Sequence, residues 1–587
     1  MKRFSFLFLL IFFLFLSGCS KPVEPELPNE PLPDEGEEVE ENEVLKEEIF
    51  AYLLNEYENK IIDCNFDYIK NYQEKATIRL YSFDEEYLDN DGNYFPPIVD
   101  YHTELLFVVT IDGKEYEIFI PVVFKGTGDE FDAIVAEIDK AVPKYLSISI
   151  TLPTTSMNYN CKIEWESDDE SVITSKGTIT KDKIERDAIL FYRITFNNET
   201  REYFKVVTVA KMSNTEKLNI VREWLNEKMS AIDVVDSDIE LPKKHEELGA
   251  YIIWESWNPT TLSSNGKYTK QFRDEKVILE ATISISVNSI KQRYTFTTKG
   301  ENEEDMWKKI ENFLERINVK EVKNQKFYLY GWEEGYQRIP TQNIGYLPFY
   351  DQKEMEIKVD LLPDSSPLKP NTLRNATKYV VIHNTGMGHP TATAEGLNEY
   401  IHTTDRIASW HFSIDDKETY QHLGLDEVGW HAGDGSTTYL NPGSGGIGGG
   451  NQNGIGIESC VYAGVDFNKV MRRLAKLAAM LLIEYDLGIN DVKQHYDFSG
   501  KDCPQVIRQS QRWNELLELI RLEYFAQTEL KDVSFEWISL NPEIMDNEGT
   551  VINHPGEETE ISYKVKVTYN GETKEYTFNS KLLELKG

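Results

Sequence analysis

A chain of 587 residues is longer than one hydrophobic core supports, so roughly three to five domains are expected. Acidic residues outnumber basic ones 100 to 62, a net charge of -38, which argues against nucleic-acid binding because phosphate backbones need clustered cations. Hydrophobic content of 40%, with 32 Tyr and 28 Phe, is enough for folded domains and leans towards strands.

Met1-Lys2-Arg3 and the apolar run Phe4 to Leu16 have the form of a secretion signal, too brief for a stable membrane span. The run ends in Leu16-Ser17-Gly18-Cys19, which resembles the bacterial lipobox. That resemblance implies removal of residues 1–18 and lipidation of Cys19, anchoring the chain at the extracellular face of a bacterial cell membrane. An ordinary signal peptide with a chance cysteine is the alternative. Residues 19–44 read as a Pro/Glu-rich linker, with Pro22, Pro25, Pro28, Pro31 and Pro33 among ten acidic residues. Such a segment is either a polyproline II stalk or a disordered acidic coil. Cys64, Cys161 and Cys460 lie in three different regions and are expected as small buried residues rather than a disulfide framework.

From residue 45 the chain repeats a helix followed by alternating strands. Trp165-Glu166-Ser167 precedes Gly177, Trp254-Glu255-Ser256 precedes Gly266, and Trp537-Ile538-Ser539 precedes Gly549, with serine and glycine ten residues apart each time. Leu80-Tyr81-Ser82 with Gly92 is a weaker copy. Equal spacing marks an internal repeat, and the glycine fits a turn of positive φ. Period-two runs such as Ile189 to Phe196 point to small antiparallel sandwiches. The units resemble bacterial immunoglobulin-like surface domains, which places such domains at 45–126, 127–211, 212–300 and 526–587. The resemblance leaves two uses open, spacing and wall binding. Residues 301–370 hold a helix at Met306 to Leu314 and a connecting segment. That helix lacks its Trp-x-Ser partner, and the Trp537 copy lacks a leading strand, so 303–345 and 526–587 are expected to form one domain split by an insertion.

Seven of the ten histidines fall between His383 and His495. Lys378 to Ile382 reads as a buried strand delivering His383 at its carboxyl end, where ligands gather in open α/β sheets. Thr393 to His402 and Lys469 to Asp486 have helical spacing. In Gly454-Ile455-Gly456-Ile457-Glu458 the isoleucines face one way and Glu458 the other, beside glycines that leave space. The run Gln494 to Pro504 sets His495, Lys501 and Cys503 close together. Imidazole and thiolate are the donors zinc prefers, and three protein ligands leave a position for water; a surface loop with a buried thiol is the bland alternative. The glycine-rich run Gly443 to Gly450 lacks the Gly-Lys-Ser/Thr ending of a phosphate loop and is expected to flank a substrate groove.

Val381-Ile382-His383-Asn384-Thr385, Ser409-Trp410-His411-Phe412, Trp430-His431-Ala432-Gly433-Asp434-Gly435, Ile455-Gly456-Ile457-Glu458 and His495 through Lys501-Asp502-Cys503-Pro504 occur in the order found in zinc-dependent N-acetylmuramoyl-L-alanine amidases. The segment resembles the branch shared by bacterial autolysins, phage endolysins and peptidoglycan recognition proteins. The resemblance implies an α/β amidase domain over 371–525, a mixed central sheet flanked by helices. It makes His383, His495 and Cys503 the ligands of Zn2+, Glu458 the catalytic carboxylate and Lys501 the cation beside the metal. The implied substrate is peptidoglycan, cut between N-acetylmuramic acid and L-alanine. His411, His431 and Trp410 are assigned to substrate contact, the two histidines alternatively to support of the ligand histidines. Some relatives carry a catalytic tyrosine where Trp410 stands, which leaves Glu458 as the base. A non-catalytic peptidoglycan-recognition or adhesion protein is the competing function; the joint presence of His383, His495, Cys503, Glu458 and Lys501 favours catalysis.

Overall fold

The computed structural model describes residues 35–322, 325–330, 338–343, 345–435 and 448–585. The expected secretion signal, Cys19 and the proline-rich stretch lie outside the described residues, as does most of the Gly443–Gly450 run. Among the described residues no helix is long and apolar enough to cross a membrane. The chain divides into two compact units, Met1–Met212 and Ser213–Gly587.

The first unit contains two repeats. A helix, Glu35–Tyr57, begins well inside the segment expected as linker, so residues 35–44 are helical rather than a polyproline or disordered stalk. Ile49, Leu53 and Tyr57 of that helix enter the same core as Ile78, Leu105 and Phe107, and this packing stabilises a helix whose acidic start alone would not. A five-stranded sheet follows. The second repeat places helix Glu130–Ala141 on a four-stranded sheet. Asp129 caps this helix by accepting from the amides of Phe131 and Asp132, and Phe131, Ile134 and Ile138 form its buried stripe. Cys161 and Cys460 are buried, whereas Cys64 is exposed, against the expectation of burial; it follows a short edge strand, Lys60–Ile62, where the chain turns outwards.

Each repeat differs from the expected sandwich in the same way. One sheet, not two, carries the strands, and the preceding helix supplies the second apolar layer. The opposite sheet face stays in solvent: in Ala250–Ser256 the burial alternates along the strand, and Tyr251 and Ile253 are exposed. Period-two patterning reports a half-buried strand and cannot say whether a sheet or a helix covers it. In every copy the short strand after the helix pairs parallel with the last long strand, as Val234–Val235 does with Thr297–Thr298.

The fourth copy is assembled from both sides of the amidase-like segment. Helix Met306–Ile317 and strand Glu321–Val322 come from one side, and strands Ser534–Ser539, Thr559–Tyr569 and Glu572–Leu582 from the other. Glu321–Val322 pairs with Lys581–Leu582. Ile310, Phe313, Val322, Leu347 and Phe349 share one core with Phe535, Trp537, Ile561 and Tyr563. The repeat's own signature records the interruption. The indole Nε1 of Trp165 and of Trp254 donates at 2.7 Å to a proline carbonyl 12 residues upstream; that of Trp537 donates at 3.0 Å to the carbonyl of Tyr350, 187 residues upstream. Gly177, Gly266 and Gly549 all hold positive φ, and a Cβ on each would collide with the carbonyl oxygens of Ile150, Ile239 and Leu347 respectively. A domain whose loop ends lie close together accepts an insertion without losing its core.

The inserted part is a six-stranded mixed sheet, in the order Lys358–Val359, Thr419–Gln421, Phe412–Ile414, Gly454–Ser459, Tyr379–Asn384, Val492–Gln494. Helix Phe467–Glu484 buries Val470, Leu474, Leu477 and Leu481 against the Val380, Ile382, Ile455 and Ile457 face. Asp466 caps it through the Lys469 amide at 3.1 Å. Thr393 likewise caps helix Ala394–Thr403 through the Gly396 amide at 3.0 Å.

Candidate active site

Three parallel strands end at the site. Tyr379–Asn384 lies between Gly454–Ser459 and Val492–Gln494. The register sets His383 opposite Glu458 and aligns Ile382 with Gln494, the residue before His495. His383, Glu458 and His495 therefore gather at the carboxyl ends of adjacent strands, the usual place for ligands in such sheets.

His383 is fully buried and His495 5% exposed. His383 Nδ1 stands 3.1 Å from His495 Nδ1 and 3.8 Å from Cys503 Sγ. The three donor atoms lie within 4.8 Å of one another. Zinc–nitrogen and zinc–sulfur bonds of about 2.0–2.1 and 2.3 Å in a tetrahedron separate the donors by roughly 3.3 and 3.6 Å. The donor set and its spacing fit a zinc ion. Burial holds His383 well below its ordinary pKa and His495 at about 4, so both imidazoles are neutral, the form that binds metal. Burial, with the Glu458 charge behind it, pushes the Cys503 thiol up to about 12; a thiolate there needs a cation beside it, as a dication supplies.

Glu458 Oε1 lies 3.9 Å from His383 Nδ1, and Oε2 is buried with no hydrogen-bond partner among the described residues. Burial raises this carboxyl to about 7, against the opposing charges of Lys501 and Arg406. An acid poised near neutrality with a free acceptor oxygen suits proton transfer. Lys501 is exposed in the loop between His495 and Cys503, and its charge acts on Glu458, His383, His495 and Cys503.

His431 and His411 are buried beside His383. His431 Nδ1 is 3.1 Å from His383 Nε2. With His383 Nδ1 left unprotonated for a ligand, its Nε2–H donates to His431 and fixes the tautomer. The His431 ring lies against Gly456, where a Cβ would come within 2.7 Å of Cγ. The space expected beside Glu458 is thus filled by an imidazole. His411 is fully buried; its Nδ1 accepts from the Gly456 amide at 3.1 Å and its Nε2 lies 3.0 Å from the Glu427 carbonyl. Both histidines thus bond to protein groups, the arrangement that support of the ligand histidines requires. Trp410 lies in a different core. It is 7% exposed, packs with Leu362, Leu368, Ile401 and Leu423, and donates to Ser413 Oγ at 2.8 Å. Trp410 and His411 precede the strand Phe412–Ile414, and the motif alone conceals that they enter different surroundings.

Asn384, Ser459 and Asn451 carry roles that the sequence reading missed. Asn384 Oδ1 accepts from the amides of Val506 at 2.9 Å and Ile507 at 3.3 Å, fastening the Cys503 loop to the strand that bears His383. Ser459 Oγ donates to the His383 carbonyl at 2.6 Å and accepts from Asn384 Nδ2 at 2.8 Å. Asn451 Oδ1 takes the amides of His431 and Ala432 at 2.8 and 2.7 Å. The one available signal was adjacency of Asn384 to His383 and of Ser459 to Glu458.

Residues 373–506 match the N-acetylmuramoyl-L-alanine amidase family. Among curated relatives, the Bacillus subtilis (strain 168) amidase CwlH is 36% identical over 161 residues, 27% of this chain and 59% of CwlH. The amidase XlyA of the same organism is 39% identical over 127 residues, 22% of this chain and 39% of XlyA. The chain thus spans about half the length of these relatives. Among solved structures, the catalytic domain of XlyA is 33% identical, covering 28% of this chain and 99% of that one with a TM-score of 0.26.

Proposed function

We propose that this chain hydrolyses the amide bond between the lactyl group of N-acetylmuramic acid and L-alanine in peptidoglycan. The reading rests on one observation above all: His383, His495 and Cys503 converge beside Glu458 at the carboxyl edge of the sheet. His383, His495 and Cys503 would hold zinc, whose chemistry when bound is to acidify water and polarise a carbonyl. Glu458 takes the proton of the attacking water and passes it to the amine of L-alanine as the carbon–nitrogen bond breaks. Water oxygen joins the lactyl carbonyl carbon, giving a carboxylate on the glycan and a free amino group on the stem peptide. Lys501 offsets the negative charge that grows on the carbonyl oxygen. His431 keeps His383 in the ligating tautomer. The joint presence of His383, His495, Cys503, Glu458 and Lys501 favours the hydrolase over the binding module.

The direct test is hydrolysis of a muramoyl peptide by the full chain. A strong chelator is expected to abolish product formation and added zinc to restore it; undiminished hydrolysis after exhaustive chelation would rule the metal out.

We further propose that Cys19 carries a lipid that holds the enzyme at the outer face of the cell membrane, within reach of the wall. The apolar run and the Leu16-Ser17-Gly18-Cys19 sequence support this. A single acyl chain gives only marginal anchoring, and two chains on one cysteine hold firmly. Cys19→Ala is expected to move the protein from the membrane fraction to the soluble one on cell fractionation. Retention in the membrane fraction would remove the anchor.

A further inference from the structure

The position after the serine of each repeat motif holds Phe83, Asp168, Trp257 and Leu540. In three copies it faces solvent: Phe83 is 64% and Leu540 47% exposed, and Asp168 is exposed. Trp257 is half-buried instead and packs against the small cluster Val381, Ala432 and Phe498 of the amidase segment. The Lys493 ammonium stands 3.4 Å from the centre of its ring, and the Arg293 guanidinium 4.5 Å. Lys493 is 4% exposed and belongs to strand Val492–Gln494, immediately before His495; Phe498 is fully buried in the helix that begins with His495. The residues on both sides of His495 therefore rest on one indole contributed by a different domain.

The surroundings are built to keep that contact. Val492–Gln494 is the edge strand of the six-stranded sheet, and a bare edge is a liability that folds cover or blunt. Here the repeat covers it. Asn490 Oδ1 accepts from the Ile278 amide at 3.2 Å and its Nδ2 donates to the Lys276 carbonyl. The cavity between Glu255, Trp257, Lys493 and Asp497 measures 40 Å³, room for about one water. Further along the join, Arg521 of helix Trp513–Glu529 is 4% exposed. It donates to Glu275 Oε1 at 2.8 Å and to Asn258 Oδ1, Thr260 Oγ1 and Thr261 Oγ1 at 2.9 Å. A buried guanidinium satisfied by four groups of another domain fixes both register and angle.

We propose that the repeat 212–300 is a fixed part of the hydrolytic unit rather than a spacer, and that Trp257 is a positioning residue that sets His495 through Lys493 and Phe498. This rests on His495 being a metal ligand, as argued above. A ligand placed loosely loses affinity for its metal even when all donors remain, and outer contacts of this kind are worth about 10–100-fold in metal binding.

The test uses the full chain with Trp257→Ala, Trp257→Phe and, as a control at the equivalent exposed position, Phe83→Ala. Two quantities are measured: the zinc dissociation constant by competition with a chromophoric chelator, and amide hydrogen exchange over residues 492–499 in metal-free protein. Trp257→Ala is expected to weaken zinc binding at least tenfold and to speed exchange over 492–499 at least tenfold, with exchange over 454–459 unchanged. Trp257→Phe recovers most of both, and Phe83→Ala matches wild type. Wild-type zinc affinity and wild-type exchange in Trp257→Ala would overturn the proposal. If Trp257→Ala does not fold, Trp257→Leu takes its place with the same two outcomes. Should the wild-type chain bind no zinc, the metal reading fails on its own, and exchange over 492–499 still decides whether Trp257 holds the strand and helix.

Discussion

Glu458→Gln is expected to retain zinc and to lose turnover by about 10²–10⁴-fold, the span that a positioned general base contributes. The substitution is isosteric, so packing around the strand Gly454–Ser459 is preserved. It removes the one function that matters, because an amide oxygen does not accept a proton near neutrality. Two features of the site make the loss large. Oε2 has no hydrogen-bond partner among the described residues, which leaves its acceptor capacity open. Burial lifts the carboxyl to about 7, near the operating pH at which a general base is most efficient. The check is kcat on a muramoyl peptide together with metal content of the purified variant. A variant with wild-type kcat would exclude Glu458 as the base; one that has lost zinc would instead place it among the groups that hold the metal.

Cys503→Ala is expected to lose both zinc and hydrolysis. Structural zinc contributes about 10–16 kcal/mol across four ligands, so one thiolate accounts for roughly 3–4 kcal/mol, or about 10²–10³-fold in affinity. The fold is affected far less. Cys503 is a small side chain whose sulfur touches His383 Nδ1 and the Asn384 carbonyl at 3.8 Å, and the loop is tied separately by Asn384 to Val506 and Ile507. Removing one sulfur costs about 1 kcal/mol or so of packing, a minor part of the effect. Metal analysis after gel filtration and a thermal melt separate the two contributions. Full zinc content with full activity in Cys503→Ala would remove the thiolate from the ligand set.

The residues of the site were legible because chemistry and local pattern coincide there. An apolar strand ending in His383, an alternation ending in Glu458 and a histidine, lysine and cysteine within one loop each have a distinct signature. What they touch was not legible. His431 fills the room above Gly456, a contact between residues far apart in sequence, so the glycine read as open space. Trp410 shares a motif with His411 but packs in a core of its own. Cys64 illustrates the same limit, since residue type predicts burial only on average. The Trp-x-Ser and glycine spacing marks the repeats, but their architecture is not legible from it, because a helix and a second sheet cover a half-buried strand equally well. Trp257 directly follows the motif's serine, and nothing in the repeat announces that its neighbour is the edge of another domain's sheet.

The central claim is a bond, and identifying the new ends in digested wall tests it most directly. Purified peptidoglycan treated with the full chain should yield, by mass spectrometry, stem peptides with a free L-alanine amino group and glycan strands with free lactyl carboxylates. Both should be absent when Glu458→Gln replaces the wild type. New reducing sugar ends, or new amino groups within the stem peptide while the lactyl amide stays intact, would contradict the account.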